Sequence, residues 1–135
     1  MLTQPRPSDR RSQARGIESG LIHRPVVYVP YSNVLVIGGA GFIGRHIVNR
    51  LIDRGARVTV PTRRRARAGH LITLPTIEVV EANIHDDADL SQLIAGCDAV
   101  INLVGILQGS RGSPCGPEFA RAHVELPRRI VRASE

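Results

Sequence analysis

Lysine and tryptophan are absent from the 135-residue chain, which has only two tyrosines and two phenylalanines. No step that needs a lysine ammonium can be performed by these residues. All 18 basic residues are arginine, set against 12 acids, for a formal charge of +6. A nucleic-acid or membrane-surface site usually adds aromatic platforms or a strongly amphipathic basic helix to such charge. The near-lack of aromatics makes the excess a compositional bias, and no nucleic-acid partner is expected. Two cysteines, Cys97 and Cys115, could form at most one bridge, too few for a disulfide-built secreted scaffold. A reducing, cytoplasmic compartment fits better. The longest apolar stretch, residues 99–107, is broken by Asn102 and Gly105. It falls well short of the roughly 20 residues of a transmembrane helix, so no span is expected. What is present, 42% hydrophobic and 22% charged residues, is ordinary globular usage at the size of one domain or part of one.

Residues 1–32 carry five arginines and four prolines with little hydrophobic periodicity, and read as a flexible extension. The alternative is a targeting peptide, against which Asp9, Glu18 and the prolines stand. From Asn33 onward, short apolar runs alternate with helical patterns, the signature of a βαβ series with a parallel sheet. Val34 to Ile37 is a buried strand that opens onto the glycine-rich run Gly38 to Gly44. A helix follows, with Ile43, Ile47 and Leu51 at fourfold spacing and Val48 and Ile52 beside them, closed by Gly55. Arg57 to Val60 forms a second strand halted by Pro61, and Ile77 to Val80 a third. Asp86 or Asp87 caps a helix through Leu90, Leu93 and Ile94, which closes at Gly96. Ala99 to Val104 is the fourth strand, and a last helical pattern over residues 119–133 must kink or restart at Pro127. The expected fold class is α/β: a three-layer, doubly wound Rossmann sheet in strand order 3-2-1-4, with no fifth strand in the chain, so that the domain over residues 33–135 reads as partial.

Gly38-x-x-Gly41-x-x-Gly44 sits between an apolar strand and an amphipathic helix, the context a dinucleotide-binding turn requires. The first glycine permits the tight turn, the second lets backbone approach a pyrophosphate, and the third lets helix and strand pack. Free N–H groups at the helix start then hold the phosphates. After the second strand, where a carboxylate would bind a free ribose 2′-hydroxyl, the chain reads Pro61-Thr62-Arg63-Arg64-Arg65. Arginine suits a 2′-phosphate, so NADP(H) is favoured, with NAD(H) possible. The remaining polar candidates have plainer readings. Asp86, Asp87 and Asp89 serve a helix start rather than a metal. The five histidines lie on surfaces or helix faces, and Cys97 and Cys115 are inert thiols. Asn102 bonds either a loop backbone near the cofactor or another buried group.

The runs NVLVIGGAGFIG, TRR and VINLVG together resemble the extended and atypical short-chain dehydrogenase/reductase superfamily, which includes NAD-dependent epimerases and dehydratases. The segment PTRRRARAGHLITLPTIEVVEANIHD followed by CDAVINLVGIL is similar to the branch of the nucleotide-binding accessory subunit of respiratory complex I. The resemblance implies that Gly38, Gly41, Phe42, Ile43 and Gly44 contact the pyrophosphate and that Arg63 or Arg64 contacts the 2′-phosphate. It places Asn83 and Ile84 at the adenine, where Asn83 departs from the usual aspartate. Leu103, Val104 and Gly105 would pass under the ribose and nicotinamide.

In that superfamily hydride chemistry uses a tyrosine and a lysine four positions later, the lysine lowering the tyrosine pKa. Tyr28 and Tyr31 precede the nucleotide fold and lysine is absent, so no catalytic residue is expected within the chain. Three functions stay open. One is structural or regulatory nucleotide binding in a respiratory complex I-type or quinone-linked assembly, cytoplasmic or peripheral at the inner face of its membrane. The others are the cofactor half of an oxidoreductase or epimerase whose Tyr and Lys lie past residue 135, and a truncated product without function.

Overall fold

The computed structural model describes residues 31–112 and 115–135; of the extension expected over residues 1–32, residues 1–30 lie outside them. Strand β1 (Asn33–Ile37) leads through the glycine turn into helix α1 (Phe42–Asp53), followed by β2 (Arg57–Thr62) and a single 3₁₀ turn at Arg65–Ala68. Then come β3 (Ile77–Glu81), α2 (Asp87–Ile94) and β4 (Ala99–Asn102). The last segment runs through α3 (Pro117–Ala120), a π turn at Arg121–Glu125 and α4 (Leu126–Ala133). The four strands form one parallel sheet in the order β3-β2-β1-β4, the expected Rossmann order.

Alternation along β1 explains why both faces are covered. Val34 and Val36 face α1 and join Val48, Val58, Val60, Val79 and Leu71 in one core. Leu35 and Ile37 face the other way and pack with Leu90, Ile94, Leu126 and Ile130 from α2 and α4. Arg129 and Asp87 pair across those two helices, Nε to Oδ1 at 2.7 Å. The partner carboxylate is solvent-exposed, so this pair adds little. Among the described residues no helix is long and apolar enough to cross a membrane, and β4 has a strand neighbour on one side only.

Three expectations need correction. Pro61 does not halt β2, which continues to Thr62 in register with Glu81 of β3. Arg57 donates to Ser32 on the β1 side, whereas Val58 donates to Thr76 and Thr62 accepts from Ala82 on the β3 side. By that alternation the missing N–H of Pro61 points towards β1, whose pairing with β2 has already ended at Leu35, so no ladder bond is lost. Ile43 is not part of the apolar stripe of α1: it is 64% exposed, and the buried face is Gly44 and Val48. Phe42, beside it in the first turn of α1, is exposed as well. Finally, β4 ends at Asn102 instead of Val104, because the Asn102 side-chain oxygen accepts the Val104 N–H at 3.1 Å and turns the chain out of the strand.

Candidate functional site

Because all four strands are parallel, the segments that follow them gather at one edge of the sheet. The order also reverses between β1 and β4, which opens a crevice at that edge. The glycine turn fills its centre. Gly38 has φ +84°, a conformation that favours glycine, and a Cβ there would meet the Leu103 carbonyl carbon at 3.1 Å. A Cβ on Gly44 would strike the carbonyl oxygens of Gly38 and Gly39, the second at 2.5 Å, so this glycine lets α1 dock on its own entry turn. Gly41 differs: a Cβ there would meet only the Gly38 carbonyl oxygen at 3.2 Å and otherwise open space.

That open side faces an unusual helix start. α1 has no side-chain N-cap and no acidic residue in its first turn, so its positive end is left for an external anion. A cradle of glycine backbone that a methyl group would fill, next to uncapped N–H groups, fits the diphosphate of a dinucleotide. Beside it Phe42 is 74% exposed, with the Arg45 guanidinium 4.8 Å from its ring centroid.

The other expected site residues lie on the same edge but offer different groups. Arg63 and Arg64 are exposed just past β2, in a turn organised by Thr62, whose hydroxyl accepts the Arg64 N–H at 3.3 Å. After β3, the Asn83 side-chain oxygen accepts the His85 N–H at 3.2 Å, which leaves the Asn83 amide nitrogen for a ligand. Ile84, Leu103 and Val104 pack their side chains against the two cores, so what they present to the crevice is backbone. Gly105 is exposed. His85 lies under the combined field of the edge: burial, then the positive charges of Arg121, Arg129 and Arg63, hold its pKa below the usual value, against an opposing effect of Glu125.

Asp86, Asp87 and Asp89 are each engaged, but Asp86 alone caps the helix. Asp86 accepts the Ala88 and Asp89 N–H groups at 2.9 and 3.1 Å, Asp87 pairs with Arg129, and Asp89 accepts the Asn83 N–H at 2.8 Å. Among the described residues no cluster of three or more His, Cys, Asp or Glu could hold a metal. A groove of about 640 Å³ lies elsewhere, lined by Asn33, Thr59, Glu78, Val80, Leu93 and Cys97. The glycine turn is not part of it, whereas the crevice at the strand ends combines glycine backbone with the uncapped start of α1. In the groove, burial and then the Asp98 carboxylate raise the pKa of the Cys97 thiol.

Two residues with parts in this region have no motif position. Gly39 is required by packing, since a Cβ there would meet Val60 Cγ2 at 2.9 Å; the doubled glycine after β1 is its only sequence signal. His123 is not a bare helix-face histidine: its Nε2 lies 3.2 Å from the Ile106 nitrogen and 3.0 Å from the Ile106 oxygen.

A sequence profile described as the NAD dependent epimerase/dehydratase family matches residues 34–135. Over 76 residues the chain is 33% identical to a decarboxylating sterol-4-alpha-carboxylate 3-dehydrogenase of Dictyostelium discoideum, covering 56% of this chain and 23% of that protein. Over 101 residues it is 30% identical to the mitochondrial NADH-ubiquinone oxidoreductase 40 kDa subunit of Neurospora crassa, covering 73% of this chain and 26% of that subunit. The solved structure of Pen from Bacillus thuringiensis superposes with a TM-score of 0.66 at 19% identity, covering 76% of this chain and 34% of that one, a likeness of fold. The chain thus spans about a quarter of the length of these two curated relatives.

Proposed function

Because the chain belongs to the NAD dependent epimerase/dehydratase family, we propose that the crevice at its strand ends binds one NADP(H) across the β1/β4 switch point. The observation that carries this reading is the uncapped, acid-free start of α1 behind a turn in which Gly41 leaves room for a phosphate. The diphosphate rests on Gly38, Gly41, Phe42, Ile43 and Gly44, with the N–H groups of the first turn donating to it. Arg63 or Arg64 holds the adenosine 2′-phosphate, and Asn83 and Ile84 border the adenine. Backbone of Leu103, Val104 and Gly105 lies under the nicotinamide riboside. When bound, NADP(H) supplies hydride-transfer chemistry; these residues bind and orient it. The preference for NADP(H) is supported by three consecutive arginines after β2 in place of a carboxylate.

The role we favour is structural or regulatory nucleotide binding in a complex I-type or quinone-linked assembly. It is supported by the likeness to the 40 kDa subunit. A second reading, favoured by the likeness to a sterol dehydrogenase, makes these residues the cofactor half of an oxidoreductase or epimerase, the proton-transfer pair then coming from outside residues 1–135.

Calorimetric titration of the chain with NADPH and NADH tests the nucleotide reading. NADPH is expected to bind about tenfold tighter, the scale of one charge-assisted phosphate contact, and Arg63→Ala with Arg64→Ala to erase the difference. Equal affinities in the unaltered chain would refute the NADP(H) preference.

A further inference from the structure

The polypeptide after β4 leaves the sheet as a strap. Its start is well held: Leu103 donates to the Ile37 carbonyl at 2.8 Å and Val104 to the Asn102 side chain at 3.1 Å. Further on, Ser110 is tied to the Glu118 carboxylate, its N–H at 3.1 Å. Between these points, among the described residues, the backbone is hydrogen-bonded only through Ile106, and the partner is His123.

The placement of His123 follows from the local sequence. Pro127 has no N–H to give to the His123 carbonyl, and its ring crowds that carbonyl in a regular helix. The chain widens instead into a π turn, in which Leu126 donates to Arg121, five residues back. The imidazole lies on the Phe119 ring, centroids 4.2 Å apart at 32°. Its Cε1 sits against Gly105, where a Cβ would be only 3.3 Å away. Nε2 reaches both ends of Ile106, so it accepts the N–H in one neutral tautomer and donates to the carbonyl in the other.

We propose that His123 is a positioning residue for the nicotinamide half of the dinucleotide, holding the Gly105–Ile106 peptide in place through Nε2 while its ring backs Gly105. This rests on the dinucleotide reading above. In that reading the strap lies across the switch point from Arg63, so His123 governs one end of the ligand and not the other. A merely structural histidine would affect both ends alike.

The test compares two ligands on three proteins. NADPH and adenosine 2′,5′-bisphosphate, which carries only the adenosine end, are titrated calorimetrically into the unaltered chain, His123→Leu and His123→Gln. Leucine keeps apolar bulk on Phe119 but cannot hydrogen-bond. Glutamine places an amide donor and acceptor at about the reach of Nε2. We expect His123→Leu to weaken NADPH about three- to tenfold, the range of one hydrogen bond, and to leave the bisphosphate within about twofold. His123→Gln is expected to restore most of the NADPH affinity. An unchanged NADPH affinity in His123→Leu, an equal loss of both ligands, or no rescue by glutamine would each overturn the proposal. Failure of the unaltered chain to bind either ligand would instead remove the dinucleotide reading, and this proposal with it.

Discussion

Alanine at Gly44 and alanine at Gly41 should separate the two duties of the glycine turn. At Gly44 the added methyl meets backbone oxygens of Gly38 and Gly39, the latter at 2.5 Å, and no flexible side chain is available to yield. Helix α1 has to lift off its entry turn, an overpacking cost near the upper end of about 3 kcal/mol. The gain in helix propensity from Gly to Ala offsets about 1 kcal/mol of this. The net loss of about 2 kcal/mol corresponds to a fall in Tm of about 10 °C for a domain of this size. Gly41 has φ −76° and ψ 177°, an extended conformation any residue adopts, and its methyl would ask the Gly38 carbonyl to move by only a few tenths of an ångström. Gly41→Ala should therefore change Tm by less than about 3 °C. It should nevertheless weaken NADPH by tenfold or more, on the order of one displaced charge-assisted contact of about 1.5–3 kcal/mol. Thermal unfolding followed by circular dichroism, with calorimetry for the nucleotide, reads both quantities. A Gly41→Ala protein that binds NADPH normally, or a Gly44→Ala protein of unaltered Tm, would refute the assignment of duties.

Asp86 caps α2 through two backbone N–H groups. Asp86→Ala should cost about 1 kcal/mol and Asp86→Asn much less, measured as a shift in urea midpoint; equal losses would argue against the cap. His85 in the folded chain is held below its usual value of 6.5 by burial and by Arg121, Arg129 and Arg63. The unfolded chain binds that proton more tightly, so the stabilisation is present above pH 6.5 and is lost as pH falls through the lower folded-state value. Urea unfolding between pH 7.5 and 5.5 should show stability declining with acidification, and His85→Gln should flatten the decline. An unchanged slope in that variant would place its origin elsewhere.

The parts of this fold that were legible in the sequence are those decided within a few neighbouring residues. The apolar run before Gly38, the three spaced glycines and the stripe around Val48 follow one another without a gap, so they specify strand, turn and helix together and in that order. The same short-range pattern narrows the cap of α2 to Asp86 or Asp87, and Asp86 is the one that caps. The early end of β4 is a local miss, set by Asn102 two residues before Val104; the other errors fall where a distant segment decides. Pro61 looks like a strand terminus until β1 is seen to have left its side of β2. Ile43 has the spacing of a core residue but is exposed in the first turn of α1, where no neighbouring element covers it. Gly39 is needed because Val60, 21 positions away, sits beneath it. His123 gains its partner only when α3 and the π turn fold back onto Ile106. Likewise, no local pattern joins Arg63, His85 and Arg121, which are brought into one field by the sheet edge.

The most direct test of the glycine-turn site is a nuclear magnetic resonance titration of the ¹⁵N-labelled chain with NADPH, following each backbone amide. The shifted amides should cluster at residues 38–44, 62–64, 82–84 and 103–106, with Phe42 and Ile43 among the largest, because their N–H groups would donate to the diphosphate. Shifts confined to the groove around Thr59, Glu78 and Val80, or a folded chain whose amides do not respond to NADPH at all, would contradict the account.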